Sequence, residues 1–242
     1  MPLLAPSSSG LGFRPFTSAT LGPNPAGVTI ERNDFMYKHL YDKFKDWYHG
    51  GSIWFYSDPH FSDEEMKYIR KNYIGDEEQV KRINSKVGKN DTLIILGDIG
   101  SIEPVRKLRG YKVLIMGNHD AGARNYYRQN GFIDRQHLGE DGKYHWNDGD
   151  NGLFDEVYEG PLFISDRILL SHEPIDFPFA LNIHGHDHSS WYQKDNMHYN
   201  VCAEHIDYTP INLKWIVESG IMKNIFSLHR MTIDEATARS KH

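Results

Sequence analysis

The sequence predicts an α/β fold with two sheets, and three features of its apolar pattern support this. Between residues 52 and 116, short apolar runs alternate with helical stretches in the order β-α-β-α-β. This order favours parallel strands joined by right-handed crossovers. From Phe154 onward, short apolar runs follow one another with few helices between them, which predicts a second sheet with mixed or antiparallel strands. Five of the apolar runs end in Asp, Asn or His, at the position where open α/β sheets bind their ligands.

The start of the chain is predicted to lie outside the folded domain. Residues 1–29 are rich in Pro, Gly, Ser and Thr, and we expect a coil or tail there. We expect residues 30–242 to form a single domain. Its first element is a packing helix that Asn33 or Asp34 caps and that runs to about Tyr48, because its apolar residues fall on one face.

The first half of the domain carries three predicted strands, separated by helices. The strands are at 52–57, 92–96 and 111–116. The helices are at 63–73, 76–87 and 104–108, and a further helix is predicted at 121–129. Within the second helix, Val80, Ile83 and Val87 form an apolar stripe, and Gly75 and Gly88 lie just outside its two ends.

The second half begins with a polar stretch at 136–152, which we interpret as a long loop that helps to set specificity. An EF-hand within it is excluded, because counting from Asn147 places Tyr158 where the bidentate Glu is required. Strands are then predicted at 156–159, 162–165, 168–171, 181–184 and 197–201. Helices follow from Thr209 to about Glu218 and after Thr232, which forms a possible capping box with Glu235.

Composition excludes several classes of protein. No apolar run reaches membrane-span length, and the N-terminus lacks the basic start and apolar core of a secretory signal. Cys202 is the only cysteine, which excludes an internal disulfide and a cysteine-based zinc ribbon, and we expect a cytoplasmic protein. The net charge of −6 disfavours tight, non-specific binding of nucleic acid.

The polar residues at the strand ends form a set with the chemistry of metal ligands. They are Asp58, His60, Asp98, Asn118, His172, His186 and His188. Carboxylate, imidazole and amide ligands suit Mn²⁺, Fe or Zn²⁺ better than Ca²⁺ or a metal that prefers thiolates. Seven ligands exceed the needs of one ion with an open position, so the set predicts two ions that share a carboxylate, as in two-metal phosphoryl-transfer sites.

Five motifs occur in order along the chain: DPH (58–60), GD (97–98), GNHD (117–120), a lone His172 and GHDH (185–188). Together they resemble the motifs of the calcineurin-like metallophosphoesterase superfamily, in particular those of its small bacterial and phage members. The resemblance covers about residues 52–201. It implies a four-layer α/β/β/α sandwich of two mixed sheets. It also implies a binuclear centre of divalent metal ions, with Mn expected first and Fe, Zn or Ni as alternatives.

The resemblance implies a role for each motif residue. It assigns Asp58, His60 and His188 to one metal, assigns Asn118, His172 and His186 to the other, and makes Asp98 the bridging carboxylate. A hydroxide between the ions is the implied nucleophile. His119 is the implied general acid, and Asn118 and His119 are the implied contacts to the substrate phosphate. We further expect Asp120 to orient His119, His184 to be a buried strand residue, and Asp187 to point away or to accept a hydrogen bond from a ligand imidazole.

The resemblance leaves several activities open. A phosphoprotein phosphatase is disfavoured for two reasons. Such members of the superfamily carry Asp-Arg-Gly a few residues past the GD, whereas this chain continues Ile99-Gly100-Ser101-Ile102, and they carry GNHE where this chain has Asp120. We expect a hydrolase for a small or nucleotide-like phosphodiester or phosphomonoester, as a monomer or homodimer with no membrane partner. The alternatives are a nuclease of the same superfamily, a sugar- or lipid-linked diphosphate hydrolase, and a catalytically weak protein-binding scaffold.

Overall fold

The computed structural model describes residues 40–48, 50–122, 136–138, 144–146, 153–188 and 195–227, together with residues 232 and 238. Several predictions fall outside these residues. They concern the tail at 1–29, the start of the first predicted helix, the predicted helix at 121–129 beyond Gly122, and the Glu235 half of the capping box.

The described strands form two sheets. The first contains β1 (Ile53–Tyr56), β2 (Thr92–Ile95), β3 (Tyr111–Ile115), β4 (Gln136–Leu138), β5 (Tyr144–Trp146), β6 (Glu156–Tyr158) and β11 (Ile211–Asn212). The second contains β7 (Leu162–Ser165), β8 (Ile168–Leu170), β9 (Leu181–His184) and β10 (His198–Asn200). The strand order is β11-β1-β2-β3-β6-β5-β4 in the first sheet and β10-β9-β8-β7 in the second.

Both sheets are mixed and mostly parallel. In the first, β1, β2, β3 and β6 are parallel, and β11, β5 and β4 are antiparallel additions. In the second, β8, β9 and β10 are parallel and β7 is antiparallel to β8. The prediction of an α/β fold with two sheets is therefore confirmed.

The described helices are short. They are α1 (Met66–Ile69), α2 (Asp76–Lys86), α3 (Asn118–Gly122) and α4 (Leu213–Glu218), with 3-10 helices at Asp42–Trp47, Pro104–Lys107 and Ile221–Asn224. The predicted helix at 63–73 is thus limited to one turn. The predicted helix that began at Thr209 starts later, because the chain first pairs with β1 as β11 and the side chain of Asn212 then caps α4. No helix in the described part of the chain is long and apolar enough to cross a membrane.

Two predictions about the chain after residue 135 are wrong. The strand at 156–159 belongs to the first sheet, not the second: β6 pairs with β3, and the buried carboxylate of Glu156 accepts hydrogen bonds from Trp47 and Tyr111. The stretch at 136–152 is not all loop, since β4 and β5 pair as antiparallel strands at the edge of the same sheet. Backbone pairing with an existing sheet edge outweighs the polar composition in that stretch.

Apolar residues cover both faces of the first sheet. One buried cluster joins it to the second sheet and includes Phe55, Ile94 and Ile183. The other lies on its opposite face, where Leu93 packs in the same cluster as Ile83 of α2. Because successive residues of a strand point to opposite faces, a strand that is buried on both faces consists of consecutive apolar residues. This double burial explains why the central strands are detectable in the sequence.

Candidate metal centre

The carboxyl ends of strands from both sheets meet at one place. Asp58, Asp98 and Asn118 follow β1, β2 and β3, and His172 follows β8 of the second sheet. The Nδ1–H of His172 donates to the carbonyl oxygen of Leu96, at 2.7 Å, and so ties the two sheets together at this point. The site therefore lies where the parallel strands end, as the sequence predicts.

The seven predicted ligands lie in two adjacent groups. Asp58, His60 and His188 form one group and Asp98, His172 and His186 form the other; within each group the candidate ligand atoms lie within 4.8 Å of one another. Asn118 joins the second group, because its Oδ1 is 2.8 Å from His172 Nε2 and 3.0 Å from His186 Nδ1.

Asp98 lies between the two groups. Its Oδ2 is 3.6 Å from Nε2 of His60 in the first group and 3.4 Å from Nε2 of His172 in its own group. One carboxylate oxygen therefore faces imidazoles on both sides. This is the position that a carboxylate shared by two cations must occupy.

Two buried polar atoms of the first group are suited to a cation. Among the described residues, Asp58 Oδ1 and His60 Nε2 have no hydrogen-bond partner, and they lie 3.9 Å apart. Buried polar atoms without partners are costly, so such atoms in a native fold need an explanation. A bound cation would satisfy both. The residues present therefore fit a divalent metal ion with oxygen and nitrogen ligands.

The backbone is strained at four of the predicted ligands. Asp58, His60, Asp98 and His186 have φ values of 53°, 43°, 53° and 65°, in the left-handed region that residues other than glycine seldom adopt. Each such residue costs about 1–3 kcal/mol unless its surroundings enforce it. Here two backbone hydrogen bonds help, from Asp58 to Gly97 at 3.1 Å and from His60 to Asp98 at 3.0 Å. Strain of this kind concentrates at functional sites.

Glycines let these strained turns approach one another closely. A Cβ on Gly117 would lie 2.3 Å from Asp98 Oδ1, and one on Gly185 would lie 1.9 Å from Ser57 Oγ and 2.3 Å from Asp58 Oδ2. No side chain fits at either position without moving a candidate ligand. The glycines of the GNHD and GHDH motifs are therefore needed for close packing.

The imidazoles differ in their protonation. Burial lowers the pKa of His60, which favours the neutral ring that binds metals. For His172, burial acts to lower the pKa, but the hydrogen bond to Asp98 and the nearby carboxylates raise it to about 9. The pKa of Asp98 is lowered: burial opposes this, but His172 outweighs the effect of burial. A cation at the second group would therefore displace a proton from His172.

His119 stands apart from the two groups. Its side chain is 67% exposed and its Nε2 is 3.9 Å from Asp98 Oδ2. Its backbone N–H donates to Asp98 Oδ1 at 3.0 Å, which holds the residue at the rim of the site. An exposed imidazole beside the ligand groups is free to contact a molecule that enters from solvent.

Asp120 joins two turns of the site. Its buried carboxylate accepts backbone N–H groups from Asp98 at 2.9 Å, Ile99 at 3.1 Å and Gly117 at 2.8 Å. It therefore binds the turn after β2 to the turn after β3. The expectation that Asp120 orients His119 stays a prediction. The expectation that His184 is buried in its strand is confirmed.

Sequence reasoning missed Arg70 and Glu204. The Nδ1–H of His188 donates to Glu204 Oε1, so Glu204 and not Asp187 supplies the carboxylate partner of this imidazole. The Nε of Arg70 lies 3.3 Å from Glu204 Oε2. Neither residue stands in a motif, and no pattern of spacing marks it. Cys202 lies beside His188 and Glu204. Burial and nearby carboxylates raise the pKa of its thiol, and the thiol donates to Asp58 Oδ2 at 3.2 Å.

A cavity of about 260 Å³ opens beside the second group. Asn118 and His172 line it on the side of the candidate ligands, and Met116, Pro161 and Ile175 contribute apolar surface. It leaves room for part of a small molecule whose other end reaches the two groups.

Comparisons with known proteins assign neither a family nor an activity to the chain. No protein-family model matches it. No curated protein matches it either. Among solved structures, it is similar to the protein of unknown function AQ665 from Aquifex aeolicus, with 23% sequence identity and a TM-score of 0.49. That match covers 69% of this chain and 98% of the other.

Proposed function

We propose that this protein is a two-metal-dependent phosphoester hydrolase of the calcineurin-like metallophosphoesterase type. One observation carries the proposal: the seven side chains singled out in five separate motifs lie in two adjacent groups, with Asp98 between them. The two packed sheets, with α2 against the outer face of the first, support the four-layer sandwich that this family implies.

In this proposal each group of ligands holds one cation. Asp58, His60 and His188 bind the first, Asn118, His172 and His186 bind the second, and Asp98 is shared. Two bound divalent ions would supply Lewis acidity, which lowers the pKa of water and neutralises phosphate charge. Mn²⁺ fits the mixture of carboxylate, amide and imidazole ligands, and Fe, Zn²⁺ or Ni²⁺ are the alternatives.

His119 and Asn118 act on the substrate. Hydrolysis of a phosphoester breaks the bond between phosphorus and the leaving oxygen, which then needs a proton. His119 can deliver that proton, because its ring is exposed at the rim yet held 3.9 Å from Asp98 Oδ2. Asn118 begins α3, and its side-chain amide can also contact a phosphate oxygen.

The cavity beside Asn118 supports a small or nucleotide-like substrate, either a phosphodiester or a phosphomonoester. A volume of about 260 Å³ suits one organic group rather than a polymer. All seven ligand positions carry ligand side chains, which favours an enzyme over a scaffold that has lost its metals.

The test is hydrolysis of bis-p-nitrophenyl phosphate and p-nitrophenyl phosphate by the full chain. The protein is first stripped with a chelator and then supplied separately with Mn²⁺, Fe²⁺, Zn²⁺ or Ni²⁺. We expect release of p-nitrophenolate with Mn²⁺ and none in the chelator. Absence of turnover with all four metals would refute the proposal.

Two variants separate metal binding from proton transfer. Asp98→Asn should lower the bound metal and abolish turnover, because it removes the charge that two cations share. His119→Ala should keep its metal and lose about 10²–10⁴-fold in rate, the usual contribution of a general acid. Equal loss of metal in both variants would contradict the assigned roles.

A further inference from the structure

A buried ion pair lies behind the first group of ligands. The side chain of Arg70 is fully buried and that of Glu204 is 13% exposed, with Arg70 Nε 3.3 Å from Glu204 Oε2. The other carboxylate oxygen of Glu204 accepts a hydrogen bond from His188. The carboxylate of Glu204 thus lies between the guanidinium of Arg70 and the imidazole of His188.

Glu204 fixes the orientation of His188. Because Nδ1–H of the ring donates to Glu204 Oε1, the other ring nitrogen, Nε2, is the one left to bind a cation. That nitrogen lies 3.8 Å from Asp58 Oδ1, the buried oxygen that has no hydrogen-bond partner among the described residues. Rotating the ring of His188 would break the contact with Glu204.

Arg70 links Glu204 to the turn that carries Asp58. Its Nη2 donates to the backbone carbonyl of Asp58 at 2.7 Å, in the left-handed stretch of the DPH motif. One guanidinium thus contacts both the carboxylate that orients His188 and the backbone that carries Asp58. Arg70 directly follows α1, and its own N–H donates to the carbonyl of Met66 at 2.9 Å, so its position is set by the fold.

The second group has a different support. There the Nδ1–H of His172 donates to the backbone carbonyl of Leu96, at 2.7 Å, and no ion pair stands behind it among the described residues. A carboxylate behind a ligand imidazole raises the basicity of the ring and adds negative charge near the cation, and a carbonyl does so less. The two cation positions are therefore unlike in their surroundings.

We propose that Glu204, held by Arg70, is a positioning residue that sets the metal affinity of the group formed by Asp58, His60 and His188. This inference rests on the proposed function, since it assumes that the group binds a cation. It predicts that the two cation positions differ in affinity and that only one of them depends on Glu204.

The test measures Mn²⁺ binding to the full, metal-stripped chain by calorimetry and by electron paramagnetic resonance. We expect two classes of Mn²⁺ site in the wild type. Glu204→Ala should weaken one class by about 10–100-fold, the usual effect of removing such a partner of a metal ligand, and leave the other class close to the wild type. Glu204→Gln keeps an acceptor for His188 without the charge, and should give an intermediate loss.

Asp195→Ala is the matched control. It removes another carboxylate that accepts from an imidazole, since His198 Nδ1 donates to Asp195 Oδ2 at 2.6 Å, and neither residue belongs to the two ligand groups. Its Mn²⁺ binding should match the wild type. The same loss of affinity in Asp195→Ala and Glu204→Ala would overturn the proposal, and so would equal weakening of both classes by Glu204→Ala.

A double variant, Arg70→Met with Glu204→Gln, covers the case in which a single change leaves a buried charge and prevents folding. It removes both charges together, so no unpaired charge remains. We expect it to fold and still to bind Mn²⁺ more weakly in one class. Wild-type affinity in both classes would show that the ion pair serves only the fold, and would overturn the proposal.

The outcomes also separate this inference from the function on which it rests. A wild-type chain that takes up no Mn²⁺ would refute both. If the wild-type chain binds Mn²⁺ and hydrolyses p-nitrophenyl esters, and Glu204→Ala binds Mn²⁺ as the wild type does, only the role of Glu204 is refuted.

Discussion

Replacing Asp120 with Asn should damage the candidate metal centre without touching a candidate ligand. Asp120 Oδ2 accepts the N–H groups of Asp98 and Gly117, and Oδ1 accepts that of Ile99. Asparagine keeps one acceptor oxygen and places an NH₂ group where the other was. At least one buried backbone N–H then faces a donor, and Asp98 loses part of what holds it at φ 53°.

The size of the effect follows from two opposed contributions. A buried N–H that loses its acceptor costs about 1–3 kcal/mol. Burial disfavours the charged carboxylate and raises the pKa of Asp120, although its backbone donors act to lower it. Removing the charge therefore recovers part of the free energy that the lost acceptor costs. We therefore expect Asp120→Asn to lower the free energy of unfolding by less than about 3 kcal/mol. We also expect it to weaken Mn²⁺ binding, because Asp98 lies between the two groups of candidate ligands.

The assay is urea unfolding in a chelator, together with Mn²⁺ titration of the folded protein. Asp91→Asn is the control: its carboxylate accepts the N–H of Ser52 at 2.6 Å and of Gly88 at 2.7 Å, beside the amino ends of β1 and β2. It should lose comparable stability and keep its Mn²⁺ affinity. If Asp120→Asn binds Mn²⁺ as tightly as Asp91→Asn does, the turns do not depend on Asp120 and the reasoning fails.

Three further changes test other parts of the structure. Gly185→Ala should cost about 1–3 kcal/mol and weaken Mn²⁺ binding in calorimetry, since its Cβ would lie 1.9 Å from Ser57 Oγ and 2.3 Å from Asp58 Oδ2. Glu156→Leu should lower stability in urea by at least about 3 kcal/mol, with unchanged Mn²⁺ affinity of the folded protein, because one indole and two phenol donors lose a buried acceptor. Burial lowers the pKa of His184 to about 4, so between about pH 6.5 and pH 4 the unfolded chain binds a proton there that the native state does not. Up to about 3 kcal/mol of stability is thus lost as the pH falls through this window. In urea unfolding in a chelator, the free energy of unfolding of His184→Asn should therefore depend less on pH than that of the wild type. An identical pH dependence would contradict the burial of a neutral ring.

The central strands and the convergence of the seven candidate side chains were predictable because their causes are local. A strand buried on both faces has to be a run of apolar residues, and β2 differs from its prediction by one residue at one end. Side chains placed directly after such strands inherit their position from the sheet. The order of the motifs therefore indicates which side chains converge, even though His60 and His186 lie far apart in sequence.

Other features were not predictable because distant contacts determine them. Membership of β6 in the first sheet depends on its pairing with β3, and on buried donors to Glu156 that come from elsewhere in the chain. The ion pair of Arg70 and Glu204 joins residues that no local pattern connects. The backbone contacts of Asp120 were not predictable either, because they come from the turns after β2 and β3 and not from its neighbours in sequence alone.

Asp58 and Asp98, the two carboxylates of the candidate metal centre, are held in the same way, and this decides what their substitution can reveal. Asp98 Oδ1 accepts the backbone N–H of His119 at 3.0 Å, and Asp58 Oδ2 accepts that of His186 at 2.8 Å. In each case the remaining oxygen faces imidazoles. An asparagine at either position can keep the backbone hydrogen bond through its carbonyl oxygen and lose only the charge of the other atom. Loss of metal in Asp98→Asn would therefore report on the charge that cations need, and the turn that carries the residue should persist.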